Sequence, residues 1–163
     1  MDVVAENYLT LQLFSSATFV DFMGKWIPEF NVPCRQTMTN THIPRRCESI
    51  REHINRLLTR ATNVCLTLDM WTSRAQNAFM GVTGHFILDY RMKSVLLACR
   101  SMDESHTAVH IEQLFGEVVS DYNLGSRVTC VVTDNASNMV KAFSIPGYVI
   151  GGHHHISVNT LYE

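Results

Sequence analysis

Two apolar runs in this chain close on an aspartate: Leu66-Thr67-Leu68-Asp69-Met70-Trp71-Thr72-Ser73 and Val131-Val132-Thr133-Asp134-Asn135-Ala136. Short continuous apolar runs rich in β-branched residues read as buried strands. An acid at the C-terminal edge of such a strand avoids a burial penalty if it faces a cleft, where it can hold a metal or a catalytic water. Two of them on neighbouring strands form half of a divalent-metal site. Whether they are neighbours depends on what lies between them.

From about residue 62 the period is strand-like. Val64 to Asp69 reads as a first strand, Phe79 to Leu88 as a second and Ser94 to Met102 as a third. Their short connections imply antiparallel neighbours. Thr107 is placed to cap a helix running to about Tyr122, with Ile111, Leu114, Phe115, Val118 and Val119 inward. Val128 to Thr133 follows as a fourth strand, and Asn135 can cap a short helix carrying Met139, Val140 and Phe143. A strand that follows a long helical crossover returns parallel and right-handed beside an earlier one. If the fourth lies parallel to the first, Asp69 and Asp134 emerge at one edge. The fold class is therefore α/β: an incomplete ribonuclease-H-like mixed sheet behind an N-terminal helical segment.

That segment has two parts. Phe19, Phe22, Met23, Trp26, Ile27 and Phe30 repeat at helical steps until Pro28 interrupts them, and the ordinary expectation is a core-facing helix. After a linker from Asn31 to Thr41, Pro44 suits a first helical position. Ile43, Cys47, Ile50, Ile54, Leu57, Leu58 and Ala61 then line one stripe. Arg45, Arg46, His53, Arg56 and Arg60 fall on a flank of the opposite side, with Glu48 and Glu52 outside it. Arg45, Arg46, Arg56 and Arg60 are the candidates for DNA contact; composition alone favours an ordinary solvated face. The expected organisation is residues 1–61 helical, 62–145 the partial sheet domain and 146–163 a diverged or disordered tail.

The apolar fraction of 46% and charged fraction of 17% suit a globular core, and a net charge of −2 excludes a general polyanion binder. The five cysteines are scattered without a Cys-x-x-Cys pair, so no zinc is expected and a reducing intracellular compartment is. Cys65, Cys99 and Cys130 lie in apolar runs and read as small core residues. No stretch suits a membrane span or a signal peptide.

Two-metal phosphoryl transfer needs carboxylates that bridge and flank both ions. Asp69 and Asp134 could supply two. Asp103 and Glu104 sit at the opposite end of the third strand in the simplest topology, and Glu163 lies on a tail with no partner element, so the site looks incomplete. Taken singly, each acid reads equally as a turn or cap residue. An ATPase of related fold would need glycine-rich phosphate loops, which are absent, as is His-Glu-x-x-His. His153 to His155 read as a surface tail.

Asp69-Met70-Trp71-Thr72-Ser73, then Phe79 to Phe86, Ser105-His106-Thr107-Ala108 and Thr133-Asp134-Asn135-Ala136-Ser137-Asn138-Met139 resemble the catalytic domain of hAT-superfamily DNA transposases and their domesticated relatives, the zinc finger BED domain-containing proteins. The resemblance runs from about Phe19 to Phe143. It implies that Asp69 and Asp134 are the first two acids of the family's metal-binding triad. It also shows three departures: no BED zinc finger, no distal third acid, and Gly152 where a Cys-x-x-His motif ending at His155 would place its cysteine. The family's C-terminal dimerisation region is missing too. The resemblance thus implies a transposase-derived, nuclear, DNA-associated fragment that does not cut DNA, with weak Mg²⁺ binding and weak, non-specific DNA contact. A protein partner or homo-oligomer would form through the missing regions, and no membrane is involved. The alternative is the N-terminal part of an active hAT transposase performing metal-dependent strand cleavage and transfer.

Overall fold

The computed structural model describes residues 9–102, 107–134 and 136–143. The chain divides into two compact units, Met1–His53 and Ile54–Glu163.

In the first unit Thr10 caps a 3-10 turn, Leu11–Ser15, its hydroxyl accepting from the Gln12 amide at 3.2 Å. Helix α1, Ala17–Trp26, follows and stops before Pro28. None of its residues is buried, against the expectation of a core-facing helix. Phe22 and Trp26 instead pack on each other at 6.5 Å on the surface. Periodicity marks an apolar face without specifying what covers it.

Helix α2, Ile43–Arg60, does not begin at Pro44 as expected. Helical backbone starts at Arg35, and a π turn, Met38–His42, lies between. The wider turn falls where the proline lacks its amide donor, so the chain keeps winding instead of capping. The arginine flank is exposed along its length, and the opposite stripe buries Ile54 and Leu58 in the core of the second unit.

The second unit is a four-stranded sheet: β1 Val64–Thr72, β2 Ala78–Leu88, β3 Arg91–Met102 and β4 Val128–Val132, in the order β3-β2-β1-β4. β1 pairs antiparallel with β2, β2 antiparallel with β3, and β1 parallel with β4. This is the mixed topology expected of the sequence. Helix α3, Ala108–Asp121, is the crossover, capped by Thr107, and helix α4 is Ser137–Phe143. β3 begins earlier than expected because β2 and β3 join through a two-residue turn, Asp89-Tyr90, with both residues at positive φ (50° and 59°). Neither is glycine, so the usual signature of a primed hairpin turn is missing.

Alternate positions of each strand face one core. Val64, Leu66 and Leu68 of β1, with Met80, Val82 and Phe86 of β2, pack in one buried cluster with Leu58, Ile111, Phe115, Val118 and Met139 from the helices. Phe115 meets Phe143 edge-on at 5.2 Å. Arg127, just before β4, ties two helix ends together. Its guanidinium donates to the Leu58 carbonyl at the end of α2 and to the Asn123 carbonyl past α3 at 2.9 Å. These are carbonyls a helix terminus leaves without intrahelical donors.

The other sheet face carries Cys65, Thr67, Asp69 and Trp71 on β1, and its residues are half-buried or exposed. The cysteines expected in the core belong here: Cys65 and Cys130 are half-buried and Cys99 is exposed. Strand alternation puts them on the face opposite Val64, Leu66 and Val131, and a one-residue offset is enough to move a side chain between faces.

Candidate functional site

The site starts from the register of β1 and β4. Cys65 pairs with Cys130, Leu66 with Val131 and Thr67 with Val132. Asp69 and Asp134 each stand two residues beyond that last rung, on parallel neighbours, so both acids come to the same end of the same strand pair. Both are exposed.

Their surroundings differ. Asp69 is still within β1 and pairs with Gly81 across the β1–β2 ladder. Among the described residues no hydrogen bond or ion pair engages its carboxylate. Asp134 has left the ladder. Its Oδ1 accepts from the Ala136 amide at 3.4 Å, and the Thr133 hydroxyl donates to its backbone carbonyl at 3.0 Å. The Asp134 carboxylate thus holds part of the turn into α4. Asn135, the expected cap, lies outside the described residues, as do Asp103, Glu104, Glu163 and His153 to His155. The strand leading to Asp103 and Glu104 was expected to close at the opposite end, but β3 ends at Met102 across from Ala78, which pairs with Thr72, so β3 closes at the same end as β1. Among the described residues, no three His, Cys, Asp or Glu side chains are grouped so as to hold a metal ion.

An aromatic pair adjoins Asp69. Trp71 lies directly across from Phe79, and the rings stack at 5.8 Å and 18°. The indole lies over Gly81, where a Cβ would come within 2.9 Å of the ring. Trp71 still keeps 42% of its surface exposed. Gly81 and Phe79 were not singled out in the sequence. A glycine inside a strand pattern is itself a signal of close approach, and here it opposes Asp69.

The arginine candidates are not equivalent. Arg45, Arg46, Arg56 and Arg60 are all exposed on α2. Arg60, however, donates to both carboxylate oxygens of Asp89 at 3.0 Å, which neutralises it locally.

Three features therefore coincide in the second unit: a sheet edge with two acids, an aromatic pair beside one of them, and a fold of RNase-like order. Residues 67–146 match the family model of the ZBED1 RNase-like domain. A protein named as transcriptional regulator tpeD, of Talaromyces stipitatus, is 29% identical over 108 residues, covering 66% of this chain and 13% of that protein. Proteins named as the AC and AC9 transposases of Zea mays are each 25% identical over 120 residues, covering 73% of this chain and 15% and 14% of theirs. The chain thus spans about one seventh of the length of these relatives. No helix among the described residues is long and apolar enough to cross a membrane. The order of the strands and these matches agree: the chain is a hAT transposase-like, ZBED-like protein, identified through its RNase-like domain.

Proposed function

We propose that this chain is a transposase-derived, nuclear, DNA-associated protein that holds Mg²⁺ weakly between Asp69 and Asp134 and does not itself cut DNA. The observation that carries the reading is the shared register: both acids stand two residues past the Thr67–Val132 rung on parallel neighbours. Two carboxylates at one strand edge favour a hard divalent ion, but two alone leave Mg²⁺ mostly hydrated. Two-metal strand cleavage needs further ligands and a positioned scissile phosphate. DNA contact falls to the exposed flank of α2, where Arg45 and Arg56 carry charge that Asp89 does not neutralise.

Purified protein is titrated with labelled duplex over a range of salt, with and without Mg²⁺ or Mn²⁺. Weak binding with a clear salt slope is expected, and no nicked product. Replacing Arg45 and Arg56 with glutamine should flatten the log–log slope by up to about 1.8 units, roughly 0.9 per phosphate contact. An unchanged slope would return the helix to a merely solvated face. Metal-dependent cleavage that Asp69→Ala abolishes would instead assign the second reading, an active transposase catalytic segment.

A further inference from the structure

Cys65 and Cys130 are direct partners on parallel strands, on the rung that follows an irregularity in the β1–β4 ladder. Both are free thiols, half-buried on the sheet face away from the helices. Adjacent strands run about 4.8 Å apart, inside the Cα separation of roughly 4.4–6.8 Å that a disulfide spans. Beside the pair is a cavity of about 420 Å³ whose lining includes Cys65, His85, Met92 and Thr129. A molecule the size of a peroxide has room there beside Cys65, the rung partner of Cys130.

We propose that Cys65 and Cys130 form a peroxide-sensitive dithiol, which closes to a disulfide that staples β1 to β4. Burial and the neighbouring Cys130 push the Cys65 thiol up to about 11, so Cys65 enters the exchange as the protonated, resolving thiol. The Cys130 sulfur attacks one oxygen of hydrogen peroxide. The O–O bond breaks, hydroxide leaves, and Cys130 becomes a sulfenic acid. The Cys65 sulfur then attacks the Cys130 sulfur, the S–O bond breaks, and water departs with the Cys65 proton. Each sulfur is oxidised by one electron, and the peroxide is reduced by two, to water once the hydroxide is protonated. Nearby His85 is held by Thr67 (Nε2 to Oγ1, 3.1 Å) and Ser94 (Nδ1 to Oγ, 2.9 Å) and takes no part in the exchange.

This inference does not rest on the DNA-binding reading. Its consequence does bear on that site, since the stapled rung lies four residues before Asp69 in β1 and four residues before Asp134, which follows β4.

The test treats the full chain with hydrogen peroxide, alkylates the remaining thiols and maps the peptides without reduction. The expected product is a Cys65 peptide linked to a Cys130 peptide, with three of the five cysteines alkylated and full reversal by dithiothreitol. The thermal midpoint should rise by roughly 10 °C, because the staple closes a long loop. Cys65→Ser and Cys130→Ser should each abolish the linked peptide and the rise. Should either variant fail to fold, the wild-type peptide map decides alone. Full alkylation of Cys65 and Cys130 after peroxide, or linkage of either one to Cys34, Cys47 or Cys99, overturns the proposal.

Discussion

Asp134 stands two residues beyond Val132, and Asp69 stands two residues beyond Thr67, the rung partner of Val132. Strand register thus brings both acids past the same rung, Asp69 within β1 and Asp134 in the turn after β4. Register in a sheet with one buried face is strongly specified, because a one-residue slip would turn Leu66 and Val131 out of the core. The same burial that stabilises the sheet therefore fixes the rung from which both acids are counted.

Metal binding should follow from that spacing. We expect Mg²⁺ to shift the backbone NMR signals around Asp69 and Asp134 together, with an apparent Kd on the order of millimolar for so sparse a ligand set. Asp69→Asn should remove the shifts at both acids while leaving the fold intact. Shifts that survive at Asp134 in that variant would show two independent ion contacts.

Arg127→Leu should destabilise the protein by about 1–3 kcal/mol in urea unfolding, as the Leu58 carbonyl in the last turn of α2 and the Asn123 carbonyl past α3 lose a charged donor. The loss should appear in both helices by hydrogen exchange. An effect confined to α3 would show that the Leu58 contact contributes little.

Gly81→Ala should cost about 1 kcal/mol and move the indole of Trp71, because the added methyl would meet the ring at 2.9 Å and Phe79 limits its retreat. Tryptophan emission of a Trp26→Phe background, which isolates Trp71, reports the move directly. Unchanged emission and stability would mean that the ring has room to slide.

Glu117 gives a pH dependence with a definite sign. Hydrogen bonds from Gln113 and Arg100, and the Arg100 charge, hold its carboxyl below the ordinary carboxylate value. A carboxyl held low in the folded state stabilises it above the unfolded pKa of about 4.3, and that contribution disappears as pH falls through the lower folded value. Arg100 also pairs with Asp121 at 2.7 Å. Arg100→Gln should move the Glu117 titration upward and flatten the stability curve below about pH 4.5. An NMR titration of Glu117 unchanged by the substitution would assign the shift to Gln113 alone.

Much of this architecture could be read from the chain. The change from helical to alternating period near residue 62, the strand runs and the Thr107 cap all correspond to elements in place, because each is a local pattern with a local cause. Alternation also implied two sheet faces, yet Cys65, Cys99 and Cys130 were assigned to the buried one. An apolar run shows that a strand is present, while phase relative to Leu66 decides which face a residue joins. α1 shows a similar gap: Phe22 and Trp26 carry helical spacing but remain on the surface. The hairpin at Asp89-Tyr90 gave no signal, since its left-handed backbone is adopted without glycine or asparagine. For the site, Asp134 lies just past β4 as read from the sequence, whereas Asp69 was expected to end β1 and the strand instead continues to Thr72. The contribution of Gly81 depends on Trp71 folding back across the ladder, which no spacing in one strand reveals.

The strand order also sets a sequence of events in folding. β1, β2 and β3 join through short turns, so their ladders close over small separations in the chain. β4 reaches β1 only across α3, with some sixty intervening residues lost to loop entropy before the first rung forms. The acids on β1 and β4 are therefore separated in any partly folded chain that has its hairpins but lacks this last ladder. A substitution that weakens Val128 or Val131 would dissolve the acid pair while most of the sheet still stands, leaving a molecule that looks folded but no longer aligns its two carboxylates.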